Sequence, residues 1–250
     1  ALGFSIDADT GVVTTNADFV ANHEDAQSQS FTVIATDVAG NVSAQQVVNV
    51  AINNLDEVAP SITSGDTAVA IDENSGEGQV FYTATADDSA DTSDGVTFSL
   101  SGIDAAAFTI NEDSGEVTLI ADADYETQSQ YSFTVVASDG VNGDVEQSVT
   151  LDINNLDEIA PTLTSGDTAV AIDENTGADT VIYTAIADDS LDISAGVTFS
   201  LTGDSDPALS IDPSTGAVTL SADADYETQS QYSFTVVASD GVNEAVEQSV

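Results

Sequence analysis

The sequence predicts an all-β chain built as tandem immunoglobulin-like Greek-key β-sandwiches of about seven strands each. Three observations predict it. Segments rich in Val, Thr, Ile and aromatic residues alternate apolar and polar positions with a period of two. No window carries a helical period. The pattern also returns at a fixed interval: Pro60 and Pro161, Glu73 and Glu174, Tyr125 and Tyr226, and Gly140 and Gly241 are each 101 residues apart.

The elements of the middle copy follow in order. DTAVAI (66–71), VFYTATA (80–86), GVTFSL (95–100), AFTI (107–110) and EVTLIA (116–121) are short runs of strand-forming residues between turn signals. YSFTVVAS (131–138) alternates most clearly, with Tyr131, Phe133, Val135 and Ala137 opposed to Ser132, Thr134 and Ser138. VEQSVTLDI (145–153) does the same, setting Val145, Val149, Leu151 and Ile153 against Glu146, Ser148, Thr150 and Asp152. Such alternation predicts antiparallel sheets with one face buried. The Asp-x-Asp at IDADTG (Asp7, Asp9) reads as a β-turn, because neither its Gly nor a twelfth-position Glu fits an EF-hand.

NNLDEVAP (53–60) returns as NNLDEIAP (154–161), and FSIDADTGVVT in the first copy matches FTINEDSGEVT in the second. Residues 1–59 therefore read as the C-terminal part of a first repeat. Residues 60–160 read as a complete second repeat, and 161–250 as a third whose last strand is cut short. The chain opens and stops inside the pattern, as a window cut from a longer array would. The linkers are short and acidic rather than Gly/Ser-rich, so the expected joints are compact.

Composition narrows the function. The 250 residues include 45 Asp plus Glu, no Lys or Arg and one His, for a formal charge of −45. Every carboxylate must therefore face water, a backbone N–H or a bound cation. With a screening length of about 8 Å at physiological ionic strength, neighbouring acids still repel. No nucleic-acid partner is expected, anionic membrane surfaces are poor partners, and cations are favoured. No apolar run is long enough for membrane insertion in this segment. The absence of Cys removes disulfides, thiolate metal sites and a Cys nucleophile. An enzyme is not expected: the single His23 occupies a position that is Tyr in the other copies, and acids recurring identically along an array read as structural.

The order F-x-I-x-x-x-(S/T)-G-x-V-T, D-Y-E, Y-S-F-T-V-V-A-S-D-G, then an Asn/Asp/Glu linker ending in Pro resembles cadherin repeats. It is most similar to the cadherin-like tandem repeats of large bacterial cell-surface adhesins, of the RTX-type extender kind, although the RTX nonapeptide itself is absent. The resemblance covers essentially the whole chain and implies Ca²⁺ held at the joints between successive domains. Carried over, the upstream glutamates are Glu73 and Glu174, and the Asp-x-Glu pairs are Asp124 with Glu126 and Asp225 with Glu227. In the first copy Asn22-His23-Glu24 stands at that place, leaving Glu24. The linker ligands fall on Asn53, Asn54, Asp56 and Glu57, and on Asn154, Asn155, Asp157 and Glu158. The downstream acids are Asp87 and Asp88, then Asp188 and Asp189, with Asp91 as a compensating acid, and those before Gly are Asp139 and Asp240.

The linker departs from the family's pattern, reading Asp-x-Asn-Asn-Leu-Asp-Glu where the family reads Asp-x-Asn-Asp-Asn, which leaves the ion count open. Donor chemistry points the same way independently of the resemblance: oxygen donors without nitrogen or sulfur suit Ca²⁺ rather than zinc. Each acidic cluster taken alone also reads as a solvated surface. The function implied is a calcium-rigidified extender, the stalk of an extracellular adhesin projecting a binding tip. The alternative is a self-assembling extracellular filament, sheath or surface layer. The expected partners are neighbouring repeats of the same chain and, in the alternative, copies of itself.

Overall fold

A computed structural model describes residues 3–250 of the chain. By contact the chain forms two compact units. Of the described residues, one comprises 3–71, 75–123 and 130–152, and the other 72–74, 124–129 and 153–250. Apart from a single 3-10 turn at Ala105–Ala107, the regular structure of the described residues is β.

The core of the first unit is a pair of facing sheets. One is ordered Phe108–Ile110, Glu116–Leu119, Val80–Thr83. The other carries Val145–Asn154 and Thr97–Ser101 on either side of Gln130–Ser138. The long antiparallel ladder sets Phe133 opposite Val149 and Tyr131 opposite Leu151, so the alternation seen in the sequence places both inward rows on one face. Phe133, Val135, Ala137, Val149 and Leu151 are at most 1% exposed. Phe108 is the centre of a ring cluster, 4.7 Å from Phe133 and 5.5 Å from Phe81 between ring centroids. Burial of such side chains supplies the main stabilisation, about 1.5–3 kcal/mol each.

Two strands are broken rather than continuous. Val80–Thr83 and Ala86–Asp87 are separate segments, and Ala86–Asp87 pairs with Ser61–Ile62. The stretch 66–71, expected as one strand, forms only Ile71–Asp72 plus an isolated parallel bridge between Thr67 and Thr150. The chain here leaves one sheet for the other, and the transfer uses up the backbone positions that a continuous strand would pair. Tyr82 anchors the transfer, its hydroxyl donating to Gly65 O at 2.6 Å.

Gly115 shows why the adjacent hairpin needs glycine. Its φ is +71°, and a Cβ there would lie 2.2 Å from Ala84 O. Residues 3–59 of this unit pair as Phe4–Ile6 with Val13–Thr15 and Ser28–Val33 with Gln46–Ala51. None of their side chains is fully buried, although Phe4 packs 5.0 Å from Phe31.

The second unit repeats the design. Val181–Thr184, Ala217–Leu220 and Leu209–Ile211 form one sheet, and Thr198–Leu201, Thr235–Ser239 and Val246–Ser249 another. Ile182, Tyr183, Val218, Leu220, Phe234 and Val236 make its core.

Candidate acidic metal sites

Glu73 is the one charged side chain fully buried among the described residues, at 1% exposure. Its chain segment, residues 72–74, belongs by contact to the second unit together with 124–129 and the segment from 153 onward. Both carboxylate oxygens are engaged by backbone. Oε2 accepts from Tyr125 N and Oε1 from Leu156 N, each at 2.7 Å. No Lys or Arg exists to neutralise it. Unpaired buried charge is costly unless hydrogen bonds or a metal compensate.

Glu126 and Glu158 converge on Glu73, each offering an oxygen within 4.8 Å of the others. The effect shows in their acidities. Burial raises the Glu126 carboxyl above its usual range, and repulsion from Glu73, Asp192 and Asp124 adds to it. Glu158 is raised by burial first, then by Glu73 and Glu126. Asn74, in the left-handed region at φ +53°, donates its amide to Glu158. Asp192 accepts from Glu158 N at 3.1 Å, and that backbone donor is the main reason its own carboxyl is lowered.

A second kind of group recurs once in each unit. Asp56, Asp88 and Asp139 bring oxygens within 4.8 Å of one another, and so do Asp157, Asp189 and Asp240. An asparagine braces each. Asn142 Nδ2 donates to Asp56 at 2.9 Å and to Asp139 at 3.0 Å, while Asn243 Nδ2 donates to Asp157 at 2.8 Å and to Asp240 at 3.1 Å. The Asn142 donors hold the Asp139 carboxyl below its ordinary value. Backbone donors, Val242 first, do the same for Asp240. In the first unit Asp91 accepts from Asn54 Nδ2 at 2.9 Å and from Glu57 N at 3.1 Å, as Asp192 accepts from Glu158 N in the second. A fourth group joins Glu174, Asp225 and Glu227, all exposed.

Several expected ligands stand outside these groups. Asp87 turns to its own loop and accepts from Ser89 N at 3.0 Å, leaving Asp88 as the acid that reaches the group. Asp188 likewise accepts from Ser190 N at 3.1 Å, while Asp189 joins the group. Asp124 accepts from Thr127 N at 2.9 Å and caps the turn that presents Glu126. Glu24 sits 3.8 Å from His23 and belongs to none of these groups. Asn53 and Asn154 are exposed, the latter donating to Asp72 at 2.9 Å. Glu57 contributes its backbone N–H to Asp91.

Asn142, Asn243, Asp192 and Asn74 were not singled out from sequence. The signal for the first two was present, since the verbatim run Asp122–Asn142 and Asp223–Asn243 ends on them.

The fit of a hard cation rests on this arrangement. Asn54 Oδ1, Asn155 Oδ1 and Asp157 Oδ2 are buried polar atoms with no hydrogen-bond partner. Buried acceptors are normally satisfied. These orphans lie on the same linker segments as the acid groups, and every donor present is oxygen, as Ca²⁺ prefers. Asn54, Asp56, Asp88, Asp139, Glu73, Glu126, Asn155, Asp157, Glu158, Asp189 and Asp240 are the residues that would hold it.

The cadherin domain profile matches residues 67–154 and 168–250. The chain is 30% identical over 242 residues to Cadherin EGF LAG seven-pass G-type receptor 2 of Mus musculus, covering 95% of this chain and 8% of that protein. It is 30% identical over 219 residues to Protocadherin Fat 4 of Homo sapiens, covering 84% of this chain and 4% of that one. The chain thus spans less than a tenth of the length of these curated relatives. Among solved structures, mouse Cadherin-23 EC22-24 is similar with a TM-score of 0.64 at 22% identity, over 99% of this chain and 80% of that one. The Protocadherin gammaB7 EC3-6 cis-dimer structure gives 0.65 at 23%, over 99% and 62%. At these identities the solved structures speak to fold, a tandem β-sandwich.

Proposed function

The chain belongs to the cadherin domain family, and on that premise we propose that it is a calcium-rigidified extender, the stalk of an extracellular adhesin. It mediates adhesion by projecting a binding tip carried elsewhere in the protein. Buried Glu73 carries this reading: its oxygens tie the Tyr125 and Leu156 backbones to one point in a chain that has no cation of its own. Ca²⁺ bound there would draw the linker and its flanking residues onto one ion, and binding free energy becomes stiffness and stability.

The finer reading is an extender of the bacterial adhesin kind, built of repeats 1–59, 60–160 and 161–250 with joints at NNLDEVAP (53–60) and NNLDEIAP (154–161). Near-verbatim copies support it, since an array needs one joint design repeated rather than distinct binding faces. The absence of Trp leaves no anchor for a homophilic strand exchange. Scattering and imaging of the purified chain test the proposal. With Ca²⁺ the particles should be single and extended, and with chelator they should be flexible. Identical scattering in both conditions would sink it.

A self-assembling filament or surface layer is the second reading. Thr97–Ser101 favours it: this strand pairs only with Gln130–Ser138 in its sheet and carries no Lys or Pro to block its free edge. Calcium-dependent fibres in the same images would select it.

A further inference from the structure

We propose that Asn142–Gly143 is a self-modification site, at which Asn142 loses its side-chain amide by cyclising onto the Gly143 nitrogen. The counterpart Asn243–Glu244 is resistant. The two copies are identical through Asn142 and Asn243 and part at the next residue, Gly143 against Glu244. Asn142–Gly143 is the only Asn–Gly step in the chain.

The attacking nitrogen is not tied up in a hydrogen bond among the described residues. Gly143 is exposed and lies outside any strand. A Cβ built on Gly143 would meet nothing within 4 Å, so the space beside this residue is open. At position 244 the residue after the asparagine is glutamate, whose Cβ and longer side chain hinder ring closure where glycine has none.

The chemistry closes without a co-reactant other than water. The Gly143 nitrogen forms a bond to Asn142 Cγ, the Cγ–Nδ2 bond breaks, and ammonia leaves with the proton that Gly143 gives up. Water then opens the five-membered imide at either carbonyl, giving aspartate or isoaspartate. Nothing is oxidised or reduced.

The consequence is local and specific. Asn142 Nδ2 is the donor that joins Asp56 to Asp139. A carboxylate in its place cannot donate, and it adds a further negative charge beside Asp56, Asp88 and Asp139. The first unit's group therefore ages while the second unit's equivalent, braced by Asn243, does not.

Incubating the whole chain in mildly alkaline buffer and mapping it by mass spectrometry tests this. The chain has no Lys or Arg, so a protease that cleaves at acidic or at aromatic residues generates the peptides. The peptide containing Asn142 should gain the mass difference of water for ammonia and become a substrate for isoaspartate methyltransferase. The Asn243 peptide should stay unchanged over the same period. Gly143→Ala, whose added methyl meets no neighbour, should suppress the conversion. Equal conversion at Asn142 and Asn243, or parental conversion in Gly143→Ala, overturns the proposal. Asn142→Asp, which is the aspartate product, should melt below the parent in calcium-free buffer; an unchanged midpoint overturns the stated consequence.

Discussion

Glu73 Oε1 accepts the backbone N–H of Leu156 across 83 residues of sequence, at 2.7 Å. The same carboxylate accepts from Tyr125 N through its other oxygen, so one buried side chain holds two distant backbone segments. Removing it strands both donors. Glu73→Ala should destabilise the second unit by about 2–4 kcal/mol. Chemical denaturation followed by a probe in that unit measures it. A loss below about 0.5 kcal/mol would mean that water satisfies both N–H groups.

Asp87 and Asp88 are adjacent, yet only Asp88 reaches Asp56 and Asp139. Asp88→Asn should weaken calcium binding to that group at least about tenfold, a difference of about 1.4 kcal/mol, while Asp87→Asn should change it little. Calorimetric titration of the two variants side by side checks the ranking. The reverse order would mean that the loop rearranges on binding.

Acidity should act with opposite signs in two windows. Glu126 and Glu158 are raised above their ordinary 4.5, so the folded, calcium-free protein binds protons more readily than the unfolded chain. Its stability should therefore rise as pH falls through that raised range, and fall again as pH increases. Glu158→Gln should flatten this limb. Thermal melts of calcium-free protein over the mildly acidic range provide the test, and a melting temperature that falls steadily on acidification contradicts it.

Asp212 gives the opposite limb. Its Oδ1 accepts from Ser214 Oγ, Ser214 N and Thr215 N at 2.8–2.9 Å, and the Ser214 hydroxyl leads in lowering the carboxyl from 3.8 to about 2. A lowered folded value means stability present above 3.8 and lost as pH falls toward about 2. Asp212→Asn should remove this acid-sensitive contribution while keeping the turn, because Asn111 already serves the same turn in the preceding copy. Asp7 does so in the first copy, accepting from Asp9 N and Thr10 N. The variant's acid melting curve, compared with the parent's, reads the effect directly.

Much of the sandwich was legible because burial on one face forces a period of two. Phe133, Val135 and Ala137 alternate in the sequence and lie buried in the structure, with Ser132 and Thr134 turned outward. The break at 66–71 was not legible. Thr, Ala, Val and Ile fit a strand anywhere, and only the transfer between sheets denies them partners. Within the acid groups, the family resemblance marked Asp56, Asp139, Asp157 and Asp240. It could not separate Asp87 from Asp88, because both recur and loop geometry alone decides which carboxylate turns inward. Asn142 and Asn243 escaped notice for a different reason: an amide donor that braces two acids has no charge signature.

On the proposed function, calcium stabilises this chain through its acidic groups. The most direct measurement is the thermal midpoint of the chain in excess Ca²⁺ and in chelator, with Mg²⁺ as the control. Free Ca²⁺ at a hundred times its dissociation constant should add about 2.7 kcal/mol per site and raise the midpoint by roughly 5–10 °C. Mg²⁺ should do much less, since it holds fewer protein oxygens. Coincident melting curves in Ca²⁺ and chelator would mean that calcium does not hold these groups together.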